Sequence, residues 1–282
     1  MIVSARVEDR ERVPDAPWLE RLSITELVRD ARAAASAGLA GLLLYGMSDR
    51  KDESAMLASE RDHVVTRAIH AVKDAAPDLA VATDVCVCAY TTHGQCVLFK
   101  EGNADVPGTL ARLAEIAVVH ADAGADLLMP SGMLDATVRS IRSALTSVGR
   151  DVPIAAVVKL ESKLYASHRR GVEAMPINER AVPLVDPSEP DAVRARSVRE
   201  VSGGADAIVI TPGLVALDHL SRVAASAARP VFSFFTADEH ALYANNEALA
   251  DSAALEREAL LAARRAGADF VISYGALAAA ES

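Results

Sequence analysis

The sequence predicts an α/β chain folded as one (β/α)8 TIM barrel over residues 1–282, and three observations predict it. Eight short apolar runs alternate with longer segments of helical periodicity. Near-continuous apolar strands separated by helices imply a parallel sheet covered on its faces. The tetrapeptide Ala-Gly-Ala-Asp or Gly-Gly-Ala-Asp recurs at 123–126, 203–206 and 266–269, each time closing a helix on glycine and entering a strand. The competing doubly wound sheet would carry G-x-G-x-x-G after its first strand, and no such motif is present. Eight βα units in 282 residues fit the barrel.

The elements follow in order. Residues 2–5 form the first strand, and a helix runs over 22–38, where Ser23 and Glu26 have capping-box spacing and Gly38 sits at the C′ position. "LAGLLLYG" (39–46) is a buried strand, followed by a helix over 63–75. "LAVATDVCV" (79–87) is the third strand and 108–123 its helix; "ADLLMPS" (125–131) is the fourth and 133–148 its helix. "VPIAAVVK" (152–159) is the fifth strand, followed by a long polar stretch to about 189 and a helix over 190–202. "ADAIVIT" (205–211), a helix over 215–227, "PVFSFF" (230–235), a helix over 246–266 and "ADFVISYG" (268–275) complete the series.

Composition narrows the function classes. A net charge of −10 argues against nucleic acid or an anionic membrane as partner. No apolar run is long enough for a transmembrane helix, and the N-terminal residues lack the pattern of a secretory signal. The expectation is a cytoplasmic protein with reduced thiols.

In a barrel, chemistry sits at the C-terminal ends of the strands. Those positions here are Gly46, Asp84 with Cys86 and Cys88, Ser131, Lys159, Thr211, Thr236 and Tyr274. Cys86, Cys88 and Cys96 are the only cysteines of the chain. Asp84, Cys86 and Cys88 at i, i+2 and i+4 share one face of a strand, and the loop "AYTTHGQ" can return Cys96 to the same point. Three thiolates suit Zn²⁺ with one coordination position left open, unless His93 in that loop supplies a fourth ligand. The alternative is three buried apolar thiols.

Lys159 ends the apolar run of the fifth strand. A lysine walled by apolar side chains loses its proton more readily and can form an imine with a ketone; the alternative is a surface lysine. The stretch 160–190 reads as an active-site lid whose arginines could clamp a carboxylate, against a plain solvated loop.

These residues resemble a family. "DVCVCAYTTHGQC" is similar to the zinc-cysteine signature of the porphobilinogen synthase (5-aminolevulinate dehydratase) family. "LLLYGMSDRKDES", "HADAGADLLMPSGMLD", "VKLESKLY" and "RRAGADFVISY" follow in that family's order, from about residue 20 to the C-terminus. The resemblance implies a TIM barrel and a lyase that condenses two 5-aminolevulinate molecules to porphobilinogen for tetrapyrrole biosynthesis. It implies that Cys86, Cys88 and Cys96 hold catalytic zinc beside Asp84, that Lys159 is one of two Schiff-base lysines, and that Tyr274 belongs to the pocket. It implies substrate contacts for Ser131, Ser162, Tyr165, Arg169 and Arg180.

The chain also departs from the pattern. The family's second lysine is Thr211 here, its V-S-G-E-Y serine is Ala237, and the aspartate after its P-S is Gly132. No lysine follows Lys163. The family's N-terminal arm, through which it builds octamers, is missing, which implies a smaller homo-oligomer such as a dimer. Three readings follow. The first is a diverged enzyme of specialised metabolism in which Lys159 alone forms an imine with a keto substrate, Thr211 contacting the other reactant. The second is porphobilinogen synthase proper, its second substrate held non-covalently. The third is a non-catalytic family member that binds zinc or a ligand.

Overall fold

The chain opens with β1 (Ile2–Ser4) and then, before any helix, makes an antiparallel hairpin of β2 (Arg10–Val13) and β3 (Ala16–Leu22). The sequence reading assigns nothing to this hairpin. Its turn holds Asp15 at φ +60°, a conformation that Asp tolerates. The computed structural model describes residues 1–245 and 251–282. The first five residues of the helix expected over 246–266 therefore lie outside the described residues.

Helix α1 (Ile24–Ser36) buries Leu27, Ala31 and Ala34, spaced four and three apart, so one stripe faces the sheet. Ser23 accepts from the Glu26 N–H as expected. The capping box is only half made, because the Glu26 carboxylate turns to Arg10 and Arg29. Strand β4 (Gly41–Met47) pairs in parallel with β1 on one side and with β5 (Ala80–Val85) on the other. Between them α2 (Val64–Ala75) buries Val65, Ala68, Ile69 and Val72. Gly46 lets this helix approach: a Cβ there would lie 2.3 Å from Val65 Cγ2 and 2.4 Å from the Tyr90 hydroxyl.

After β5 comes a two-stranded ribbon, β6 (Leu98–Lys100) and β7 (Asn103–Asp105), then α3 (Val106–Asp122). Strand β8 (Leu127–Pro130), α4 (Thr137–Ser147) and β9 (Ala155–Lys159) follow. The short α5 (Ala166–Gly171) lies inside the stretch expected to be irregular. Helix α6 (Ala192–Ser202), β10 (Ala207–Thr211), α7 (Leu217–Ala224) and β11 (Val231–Phe234) continue the alternation. Helix α8 (Ala237–Ala244), α9 (Ser252–Arg265), β12 (Phe270–Ile272) and α10 (Ala276–Glu281) end it. The short helices α8 and α10 are absent from the sequence reading.

Parallel ladders run β1-β4-β5-β8 and β9-β10-β11-β12, and a single bridge from Leu128 to Ile154 joins the two arcs. This is a TIM barrel whose eight parallel strands match the eight apolar runs. The central strands are buried on both faces, as β10 shows with five buried residues in five, whereas β12 is left partly exposed. The far seam is looser: among the described residues β12 pairs only with β11. An apolar cavity of about 440 Å³ lined by Leu43, Phe232, Phe270 and Ile272 lies there.

Candidate active site

The inward-facing side chains at the strand ends converge at the barrel mouth. Tyr45 from β4, Asp84 from β5, Lys159 from β9, Thr211 from β10 and Phe234 from β11 line one small cavity of about 30 Å³. Ser131 beyond β8, Thr236 and Ala237 beyond β11, and Tyr274 beyond β12 complete that wall. Tyr165 and His168 reach the same cavity from the segment after β9. Lys159 lies over the Tyr165 ring, 6.0 Å from its centroid.

Lys159 is the one cation and Asp84 the one carboxylate in this lining. Burial pushes the Asp84 carboxyl up to about 6, against the opposing pull of Lys159 and the Ser131 hydroxyl. A carboxyl held there exchanges a proton near neutral pH. Tyr274 is held protonated, since burial and the nearby Asp84 and Asp238 charges push its phenol up. Its hydroxyl lies 2.8 Å from His168 Nδ1.

The three cysteines come together, though not as strand geometry predicts. Strand β5 stops at Val85, and Cys88 opens a 3-10 turn over Cys88–Tyr90. That turn, rather than a continued strand, brings Cys88 Sγ to 3.3 Å from Cys86 Sγ. With Cys96, all three Sγ atoms lie within 4.8 Å of one another. Sulfurs on a tetrahedral zinc ion stand about 3.8 Å apart, so the trio fits such an ion with little movement. Hydrogen bonds from Cys86 and Cys88, and then the charges of Lys159 and Arg169, pull the Cys96 thiol well below its ordinary range, although burial opposes this. Cys86, which donates to its neighbours and is buried, is pushed well above. The cluster already favours one thiolate, as a metal-binding thiol group does.

His93 does not join the thiols. Its Nδ1 accepts from the Gln95 N–H, and its ring packs edge-on against Phe99 at 5.0 Å.

The segment 160–190 contributes Tyr165 and His168 to the cavity lining and is stitched to the cysteine loop. Gln95 Nε2 donates to the Glu179 carbonyl at 2.8 Å, and the Ala181 N–H donates to Gln95 Oε1 at 3.1 Å. The Ile177 N–H donates to the His93 carbonyl. Arg169 stands outside the cavity lining and donates to the carbonyls of Gly94 and Ala174. Arg180 pairs with Glu161 at 3.1 Å, also outside it. Ser162 caps the turn ahead of α5 by accepting from the Leu164 N–H. The Tyr165 hydroxyl lies 2.9 Å from both the Leu160 and the Thr211 carbonyl oxygens.

Three residues at the site carry no signal in the sequence reading. Tyr45 and His168 line the cavity. Glu239, fully buried, accepts from the Thr236, Gly213 and Leu214 N–H groups and so sets the loop that follows Thr211. The spacing Thr236-x-x-Glu239 is a capping box and could have revealed it. Nothing comparable marks His168.

A family model described as delta-aminolevulinic acid dehydratase matches residues 1–282. The enzyme of that name from Methanothermobacter thermautotrophicus is 34% identical over 277 residues, covering 94% of this chain and 82% of its own length. The Escherichia coli enzyme is 30% identical over 285 residues, covering 100% of this chain and 88% of its own length. Among solved structures, delta-aminolevulinic acid dehydratase (porphobilinogen synthase) from Toxoplasma gondii, in complex with the reaction product porphobilinogen, superposes with a TM-score of 0.94 at 28% identity. The match covers 100% of this chain and 82% of that one. The chain is a member of the delta-aminolevulinic acid dehydratase family of lyases.

Proposed function

We propose that this enzyme binds 5-aminolevulinate as an imine on Lys159 and condenses it, with loss of water, to porphobilinogen. The observation that carries the proposal is the placement of Lys159 in one cavity with Asp84 and Tyr274, near enough to the three-thiol cluster for its charge to act on Cys96. The names of the relatives supply the substrate and product.

In this reading the Lys159 amine adds to the keto carbon, and the carbonyl oxygen takes a proton to give a carbinolamine. Water then leaves and the C=N bond forms. Asp84 exchanges the proton next to the reacting carbon. Arg169 and Arg180 lie on the segment 160–190, which acts as a lid and offers guanidinium groups to the substrate carboxylate. Zinc bound by Cys86, Cys88 and Cys96 would polarise a carbonyl or hold an amine. Thr211 cannot form an imine, so the second 5-aminolevulinate is held by non-covalent contacts alone.

Thr211 and Ala237 favour a second reading. Both line the cavity where the family carries a lysine and a serine. A different second reactant, joined to the same Lys159 imine, suits those substitutions, and the product would then belong to specialised metabolism. Incubation with 5-aminolevulinate, borohydride reduction and peptide mapping tests what both readings share. The expected result is one adduct, on Lys159. An unmodified Lys159 in zinc-loaded, folded protein would overturn both. Porphobilinogen appearing in the same incubation decides for the first.

A further inference from the structure

We propose that His168 and Tyr274 form a proton relay serving the Lys159 imine, with Tyr274 facing the adduct and His168 the positioning residue behind it. This rests on the Lys159 reading above.

The two residues come from distant parts of the chain. His168 lies on α5, after the fifth barrel strand, and Tyr274 follows the last. Yet His168 Nδ1 and the Tyr274 hydroxyl are 2.8 Å apart, and both side chains line the cavity that holds Lys159. The pair is held firmly. Asp238 accepts from the N–H and hydroxyl of Ser167, at 2.9 and 2.7 Å, which fixes α5 beside His168. The Tyr45 ring meets the imidazole edge-on, with centroids 4.3 Å apart, and Phe234 stacks on Tyr274. A side chain present only to fill space would not need a polar partner in this position.

The surroundings keep both members uncharged. Burial, followed by the charges of Lys159 and Arg169, holds the imidazole down to about 3. Burial pushes the phenol up. A pair of this kind is a poor base and a poor acid separately, but it can move a proton by changing tautomer. Starting with Nδ1–H donating to the phenol oxygen, Tyr274 gives its own proton to the carbinolamine hydroxyl. The C–O bond breaks, water departs, and the Lys159 nitrogen lone pair forms the C=N bond of a cationic iminium. The phenol oxygen takes the Nδ1 proton, and Nε2 recovers one from solvent. The relay ends neutral in its other tautomer, and the net proton taken up is the charge on the iminium. Run backward, the same pair serves hydrolysis of the imine.

The test is the rate of borohydride trapping with 5-aminolevulinate, measured across substrate concentrations. In His168→Phe, which keeps volume and ring shape, the expected trapping rate is about 100-fold lower at an unchanged half-saturating concentration. His168→Ala should be equally slow and should recover, saturably, with added imidazole. Tyr274→Phe, which deletes one oxygen, should match His168→Phe, and the double variant should be no slower than either. Trapping of His168→Phe or Tyr274→Phe at the wild-type rate, or no response of His168→Ala to imidazole, would overturn the relay while leaving the Lys159 reading in place. Failure of the wild-type protein to trap would remove that reading and the relay with it.

Discussion

Lys159 and Thr211 stand in register at the ends of two neighbouring parallel strands, and both line the same cavity. Only one of the two carries an amine. The Thr211 hydroxyl is buried and has no hydrogen-bond partner among the described residues. Lys159→Ala should therefore remove every borohydride adduct. Thr211→Lys should add a second adduct, at position 211, which peptide mapping would locate. The same substitution should lower the stability of the ligand-free protein by a few kcal/mol, because an ammonium placed there loses its hydration. A single adduct at Lys159 in that variant would show that position 211 does not reach substrate.

The thiol trio should bind one zinc ion per chain. Cys86→Ser, Cys88→Ser and Cys96→Ser should each lose the metal on dialysis, since two thiolates make a poor site. Metal loading should release protons, because Cys86 is held protonated in the free cluster. Elemental analysis and proton release in weakly buffered solution measure the two effects. Zinc retained by all three variants would rule the cluster out.

Acid should destabilise the fold through two buried imidazoles. His120 Nδ1 lies 3.0 Å from the Thr83 hydroxyl, and its ring is 5.8 Å from that of His63. Burial holds His63 down to about 4 and His120 to about 3. Both are neutral in the fold and take up protons near pH 6.5 when unfolded. Their contribution is fully present above pH 6.5 and is lost as pH falls toward 4, by about 3 kcal/mol for each histidine. Denaturant titrations at pH 7 and pH 4.5 should show a fall that shrinks in His120→Gln. An unchanged pH slope in that variant would mean that His120 does not carry the effect.

Glu239 should be a stability residue whose loss is felt at the mouth. Glu239→Ala leaves the N–H groups of Gly213, Leu214 and Thr236 without their acceptor. The expected loss is about 3 kcal/mol or more, or a Tm lower by about 6 to 12 °C. Calorimetry would measure it, and a Tm within a degree of wild type would contradict the assignment.

The sequence reading recovers the barrel because its signal is repeated: the strands are near-continuous apolar runs, and α1, α3, α4, α6 and α9 each end at a glycine. It misses the β2–β3 hairpin, whose strands carry Arg10, Glu11, Arg12, Glu20 and Arg21 and break the apolar pattern. It places Cys86 and Cys88 correctly as neighbours, but by the wrong backbone, because the 3-10 turn at Cys88 leaves no periodic trace. Lys159, Asp84 and Tyr274 are legible because barrel geometry singles out strand ends. His168 is not: it sits in a polar stretch where nothing local distinguishes it from Arg169 beside it. Only the tertiary fold, which brings α5 to the cavity beside Tyr274, gives it a partner.

Gln95 joins two events that would otherwise be separate. It neighbours Cys96, and its amide grips the backbone at Glu179 and Ala181. In the proposed reading, an ion that orders the cysteine loop also orders the segment 160–190, and by reciprocity a ligand that orders that segment tightens the hold on the ion. A chelated sample should then reveal itself by where it is cut: a protease should open the chain between residues 173 and 181 well before the barrel yields. Loss of the ion would thus be read out as a cut in the backbone far along the chain from the cysteines that held it.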